Sequence, residues 1–471
     1  MKNGLLPIQE RMALERCTMP ELAADIRIRS FDEVSRGLGS AQALREAKRC
    51  LNCRDKRCVA GCPVGVSIPE FITAVALDDL PRAVHILRHD NELPAVCGRV
   101  CPQETQCEAL CIRRIKGDAV AIGYLERYVA DWAMSNPDQL LHDPSPAATG
   151  YSVAVVGSGP AGLTAAGELA RYGHAVTLFE ALHDTGGVLR YGIPEFRLPK
   201  EIIDGEVELL RKQGVVIECN VIIGKTLTIA QLRSQFNAVF VANGAGLPVM
   251  LNIPGENLKG VYTANEFLTR VNLMDAGRRD DNPTPIITRQ EVAVIGGGNA
   301  ALDCVRTARR LGAERAIIVY RRGEAEMPAR IEEIHHAREE GVEFVMLTSP
   351  TALLTTGDGW VSALRCLKME LGLPDDSGRR RPQPINGSEF ELPVGVVIIA
   401  VGTGANPLLT ATAPDIALNK FGNILINGDG ETSMPGLFAG GDIVRGGATV
   451  ILAMGDGKRA AVAMNEYLKR P

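Results

Sequence analysis

No apolar run in the 471 residues approaches the roughly 18 needed to cross a bilayer. Runs such as 396–401 and 292–295 are strand-sized, so no membrane association is expected. The chain has no cationic excess either. It carries 51 Lys and Arg against 56 Asp and Glu, a net charge of −5, which argues against nucleic acid as a partner. Its opening residues have no apolar signal core, so secretion is not expected and a reducing cytoplasm is the expected location. Histidine is scarce: the seven His, including the pair His335-His336, have no metal-ligand spacing.

Other features are concentrated. With 46% hydrophobic and 23% charged residues, the chain can bury sizeable cores, and its length suits about three domains. Eight of the 12 Cys fall between Cys50 and Cys111. A disulfide framework suits a small secreted domain, so this segment reads as a metal-binding module. Residues 1–148 read as helical and Cys-rich, with helical apolar spacing over 68–87 and 119–134. Pro69 fits an early helix position. Residues 136–150 read as a linker. From Tyr151, short β-rich runs alternate with helices, which indicates α/β architecture with parallel sheets. The expected division is 1–148 for a helical Cys-rich domain, 149–287 with 402–471 for a discontinuous first nucleotide domain, and 288–401 for an inserted second nucleotide domain. The stretch 278–285 reads as a surface crossover, and 350–390 as hairpins and loops.

Two glycine clusters follow apolar strands. In the first, Gly157-Ser-Gly159-Pro160-Ala161-Gly162 leads from a strand into a helix. Its glycines permit a tight turn, backbone approach to a pyrophosphate, and close helix–strand packing. The next strand ends in Glu180, 23 residues after Gly157, where a carboxylate can accept bonds from an adenosine ribose. The second, Gly296-Gly-Gly298-Asn299-Ala300-Ala, lies 139 residues later, too far to be the other half of one nucleotide fold. Its following strand ends in Arg321-Arg322 with no acid. A guanidinium pair there can clamp a 2′-phosphate, which favours NADP(H); a solvated strand end is the plainer alternative. One acidic and one basic site suggest a flavin and a pyridine nucleotide. Gly441-Asp442 near the C-terminus suits the flavin ribityl chain. The loop after Glu180, with Gly187, Leu189, Arg190, Gly192 and Ile193, suits a surface laid against a flat ring. Asn243, Gly244, Ala245, Arg197, Asp303 and Thr449 complete the expected cofactor contacts. Hydride transfer needs no acid–base residue, so none is expected to be catalytic.

The cysteines are spaced Cys50-x2-Cys53-x4-Cys58-x3-Cys62-Pro63 and Cys97-x3-Cys101-Pro102-x4-Cys107-x3-Cys111. Cys-Pro pairs and close thiols point to two 4Fe-4S clusters; zinc sites of four cysteines are the structural alternative. Nicotinamide delivers electrons in pairs, clusters carry one, and flavin handles both, so the combination reads as an electron splitter. No CxxC lies in the nucleotide domains, which argues against a redox dithiol there.

Taken together, these motifs resemble the small subunit of glutamate synthase and its relatives over nearly the whole chain. The stretches 93–102, 191–200, 251–256 and 264–273 carry the likeness. The last two are most similar to the large subunit of NADH-dependent reduced ferredoxin:NADP+ oxidoreductases, which are electron-bifurcating transhydrogenases. The resemblance implies one cluster on Cys50, Cys53, Cys58 and Cys111. It implies a second on Cys62, Cys101 and Cys107, with Glu126 as fourth ligand in place of Cys97, which spacing alone selects. The family usually has Thr near Asn243, so altered contacts are expected there. The resemblance also implies a redox partner: a small flavin/2Fe-2S subunit with ferredoxin, or a glutamate synthase large subunit. The domains use up the 471 residues, so a glutamate-forming barrel is expected on another chain. A zinc-stabilised nucleotide-binding adaptor without turnover is the reading from a different class.

Overall fold

The computed structural model describes residues 6–141, 144–276, 286 and 290–470. The N-terminal part is helical. Four helices frame its cysteine loops: α1 (Ile68–Ala76), α2 (Leu80–Asp90), α3 (Pro94–Val100) and α4 (Ile122–Ser135). The apolar period over 68–87 is divided between α1 and α2. Asp78 sits at φ +60° and Asp79 caps α2 by accepting from the Arg82 amide at 3.2 Å. Pro69, Pro81 and Pro94 each lie in a first turn, where a missing N–H costs nothing.

Buried charge ties the loops to this frame. Glu46 accepts from the Cys17 amide at 2.7 Å and the Ala121 amide at 2.8 Å. Arg49 donates to the carbonyls of Leu14, Ala119 and Asp118. Arg113 donates to the carbonyls of Arg11 and Met12. Each buried ionic group thus has several partners, the condition under which burial of charge is tolerated.

The first parallel sheet comprises β1 (Ser152–Val156), β2 (Ala175–Phe179), β3 (Val216–Glu218), β4 (Ala238–Val241) and a late strand, Leu437–Ala439. The late strand pairs with β4, giving the order 437–439, β4, β1, β2, β3. The chain therefore returns to its first nucleotide unit after the second. Helix α5 (Pro160–Arg171) follows β1.

The second sheet starts earlier than residue 288. Strand β5 (Val261–Thr263) pairs in parallel with a strand at Val396–Ile399, and α6 (Ala264–Asn272) packs on the same unit. Val261–Thr263 supplies an outer strand with partly buried side chains, so its apolar signal is weak in the sequence. The positions 287–288 and the expected crossover at 278–285 lie outside the described residues. The remaining members are β6 (Glu291–Ile295), β7 (Arg315–Val319) and β8 (Glu343–Val345), with α7 (Asn299–Arg310) after β6 and α8 (Ile331–Glu339) before β8.

Residues 348–393 form antiparallel hairpins. They comprise β9 (Thr348–Thr355), β10 (Val361–Pro374), β11 (Arg380–Pro384) and β12 (Phe390–Pro393), with β10 paired to the other three. A long C-terminal helix, α9 (Val450–Leu468), packs against α5 and reaches the cysteine-rich unit. Among the described residues, no helix is long and apolar enough to cross a membrane.

Candidate functional site

Both glycine clusters occupy the carboxyl ends of buried parallel strands. A side chain at Gly157 would lie 2.5 Å from the Ala242 carbonyl, and φ there is +99°. At Gly162 it would lie 1.9 Å from the Gly157 carbonyl, so this glycine serves helix–turn packing. The N-termini of α5 and α7, capped by Gly159 and Gly298, face a shared cavity of about 1830 Å³. Their unpaired N–H groups and positive ends suit pyrophosphates.

Most expected cofactor contacts line this cavity. On the first unit these are Gly157, Gly159, Pro160, Ala161, Glu180, Gly187, Gly192, Ile193, Arg197, Asn243, Gly244, Ala245, Gly441, Asp442 and Thr449. On the second they are Gly296, Gly298, Asn299, Ala300, Asp303, Arg321 and Arg322. Gly162, Leu189 and Arg190 do not line it. Leu189 is fully buried, and Arg190 pairs with Asp184 and Asp204 while donating to the Thr185 carbonyl at 2.7 Å.

Glu180 is already organised. It accepts from the Ser158 amide at 2.9 Å, the Ser158 hydroxyl, and the Leu182 amide at 2.9 Å. Both Ser158 donors reach Oε2, so Oε1, with only the Leu182 amide on it, keeps a lone pair for a ribose hydroxyl. Asp442 accepts from the Ala448 amide at 3.2 Å, and burial pushes its carboxyl up to about 6. Asn243 Oδ1 is buried without a partner, an acceptor suited to a ligand donor.

The arginines expected to form a clamp have different environments. Arg321 is exposed, whereas Arg322 is buried and paired with Asp375 at 2.5 Å. Arg197 and Asp303, both expected to touch cofactor, bond each other at 2.7 and 2.8 Å. Glu333 joins Arg197 at 3.2 Å, and the surrounding guanidinium groups outweigh its burial and hold its carboxyl well below the usual range.

The cysteines form two groups. Cys50 is near Cys58, Cys111 and Cys53; burial, then repulsion within the group, pushes its thiol up to about 12. Cys62, Cys101 and Cys107 each face Glu126, which burial pushes up to about 8 although Asn91 Nδ2 donates to it at 2.8 Å. Cys97 joins this second group beside Cys62 and Cys101. Crowded, buried acids are costly as anions. A cationic iron–sulfur core offsets that cost and matches the all-thiolate and thiolate-carboxylate donor sets. All 12 cysteines are free; Cys219, Cys304 and Cys366 are isolated, so the nucleotide units hold no dithiol.

Sequence reasoning did not single out Met454, Val100, Ser377 or Arg379, and took Pro102 only as part of a Cys-Pro pair. Met454, on α9, places its Sδ 3.4 Å from Cys97 Sγ. Val100 and Pro102, flanking Cys101, line the dinucleotide cavity. Ser377 and Arg379, from the β10–β11 turn, line the same cavity. Only the Cys101-Pro102 pair carries a sequence signal; the others arise from tertiary contact.

Known proteins bear on this arrangement. Residues 27–137 match the family described as dihydropyrimidine dehydrogenase domain II, 4Fe-4S cluster, and 151–464 match pyridine nucleotide-disulphide oxidoreductase. The glutamate synthase [NADPH] small chain of Escherichia coli K12 is 35% identical, covering 97% of this chain and 98% of that one. Its Azospirillum brasilense counterpart is 36% identical, covering 94% and 92%. The NADP(+)-dependent formate dehydrogenase subunit beta of Moorella thermoacetica is 38% identical, over 88% of this chain and 60% of that. Among solved structures, FprA from Mycobacterium tuberculosis aligns with a TM-score of 0.57 at 22% identity, covering 68% of this chain and 84% of that. Lactococcus lactis thioredoxin reductase aligns with a TM-score of 0.50 at 21% identity, covering 68% and 99%. These structural likenesses show the fold. With two dinucleotide frames and two thiol groups in one chain, the protein is an NADPH-dependent FAD and iron–sulfur oxidoreductase and belongs to the glutamate synthase small-chain family.

Proposed function

We propose that this chain is the NADPH-side subunit of a larger redox assembly and exchanges single electrons with a partner protein. When bound, the nicotinamide supplies a hydride, FAD converts pairs to single electrons, and the clusters carry one each. The protein's residues supply the binding frames. Gly157–Ala161 and Glu180 hold the flavin nucleotide, with Asp442 and Thr449 at its ribityl side and Asn243 as an added acceptor. Gly296–Ala300 hold the second pyrophosphate. Cys50, Cys53, Cys58 and Cys111 hold one cluster; Cys62, Cys101, Cys107 and Glu126 hold the other.

The carrying observation is the wall between cavity and cysteines. Thr449 caps α9 beside the flavin frame, and Met454 one turn on touches Cys97. Val100 and Pro102 line the cavity from the other side. The second group, with Cys101 and Cys107 buried, therefore adjoins the cavity, and the first, with all four cysteines partly exposed, is the outer station.

Several relatives are named as chains or subunits of multi-subunit oxidoreductases, which supports a partner. Our specific reading is the large subunit of a ferredoxin:NADP+ transhydrogenase, working with a small flavin/2Fe-2S subunit and ferredoxin. The likeness at 251–256 and 264–273 supports it. The near full-length match to glutamate synthase small chains favours a second reading, with a glutamate-forming large subunit as partner. Purification from the native cell decides between them: a small flavin/2Fe-2S polypeptide supports the first, and a large glutamine-dependent chain supports the second.

A further inference from the structure

The expected phosphate clamp, Arg321 with Arg322, is not what the side chains form. Arg322 is 6% exposed and already committed. Its Nε donates to the Arg380 carbonyl at 2.9 Å and its Nη2 pairs with Asp375 Oδ2 at 2.5 Å. Both partners belong to the β10–β11 hairpin. Arg322 therefore fastens that hairpin to the end of β7.

Asp375 in turn builds the hairpin tip. Its amide donates to the Arg379 carbonyl at 2.8 Å, and its carbonyl accepts from the Gly378 amide at 2.8 Å. Its Oδ1 accepts from the Ser377 amide at 2.9 Å and the Ser377 hydroxyl at 2.5 Å. Arg379 Nε then donates to Ser377 Oγ at 2.9 Å. The tip presents Ser377 and Arg379 to the cavity that holds Arg321 and Gly296–Ala300. Among the described residues, neither Arg321 nor Arg379 forms an ion pair. The acids three residues away are Asp376 for Arg379, which is exposed, and Glu324 for Arg321, which pairs with Arg338.

Two guanidinium groups that line this cavity without an ion pair among the described residues suit a dianionic monoester. The end of the strand after the glycine turn is where the adenosine ribose of a dinucleotide lies, one residue group away from its pyrophosphate. Guanidinium forks bind phosphate by paired, charge-assisted hydrogen bonds. We propose that Arg321 and Arg379 together hold the 2′-phosphate of a phosphorylated dinucleotide, with Arg322 and Asp375 positioning Arg379. This rests on the assignment of NADP(H) to the second glycine turn and names the residues that select it.

Calorimetric titration of the purified full chain with 2′,5′-ADP and with 5′-AMP tests the proposal without turnover. Arg379→Ala should weaken 2′,5′-ADP by about tenfold or more, the scale of one charge-assisted bond pair, and leave 5′-AMP within about twofold. Asp375→Asn should weaken 2′,5′-ADP in the same selective way by releasing the tip. Should Arg379→Ala keep the native preference, or weaken both ligands equally, the hairpin has no part in selecting the phosphate. A native chain that binds 5′-AMP as tightly as 2′,5′-ADP overturns the proposal together with the NADP(H) assignment beneath it; a native preference that survives Arg379→Ala overturns the proposal alone.

Discussion

Glu126 and Cys97 both stand beside Cys62 and Cys101. Spacing along the chain selects Cys97, because it cannot register that α4 brings a carboxylate against Cys62, Cys101 and Cys107. The family resemblance pointed to Glu126, and the side-chain arrangement is compatible with that ligand set while keeping Cys97 beside Met454. Glu126→Ala should lower iron per chain by up to about half and remove one of two reduced-cluster EPR signals, while Cys97→Ala keeps both. The opposite pattern would make Cys97 the ligand. Glu92 offers a different test. It is buried, and burial pushes its carboxyl up to about 7 despite Arg171 at 2.6 Å. The folded state then binds more protons than the unfolded state between about 4.5 and about 7, so Glu92 makes stability fall as pH rises through that window. Glu92→Gln should remove this loss and raise Tm more at pH 8 than at pH 5, since Arg171 keeps Glu168 at 2.7 Å. An unchanged pH slope in scanning calorimetry would count against it.

At the scale of elements, the α/β units were legible because buried strands and glycine turns recur with fixed local spacing. What was not legible came from long-range pairing. The strand Val261–Thr263 is short, and only its pairing with Val396–Ile399 assigns it to the second unit. The segment 350–390 reads as hairpins and loops, and the bonds of Arg322 to Asp375 and to the Arg380 carbonyl hold the tip at 375–379 beside the cavity. Two element contacts carry predictions. Arg197, on the segment after Gly192, meets Asp303 on α7 and Glu333 on α8, and so joins the two nucleotide units. Arg197→Ala removes the guanidinium paired with the buried Asp303, while Glu333 keeps Arg306, and should cost about 3–5 kcal/mol, visible as a lower denaturant midpoint. A side chain at Gly455 would lie 2.9 Å from the Pro63 carbonyl, where α9 rests on the loop after Cys62. Gly455→Val should push these apart, cost about 1–3 kcal/mol, and slow cluster reduction by NADPH in stopped flow while flavin reduction keeps its rate. Equal slowing of both would place the damage at the flavin frame.

Across the whole molecule, three units converge on one cavity wall. The cysteine-rich unit brings Val100 and Pro102, the first nucleotide unit brings the glycine turn and Glu180, and the second faces them with the N-terminus of α7. The proposed order of charge carriers rests on this convergence: the two glycine turns share the cavity, the thiol group with Cys101 adjoins it, and the group of Cys50, Cys53, Cys58 and Cys111 is partly exposed. Anaerobic titration of the purified chain with NADPH, followed by visible absorption and EPR, tests this order most directly. Bleaching of a bound flavin together with the growth of signals from two reduced 4Fe-4S clusters is the expected result. A chain whose flavin is reduced while its clusters stay oxidised at every NADPH level, even with a low-potential one-electron mediator present, would contradict it.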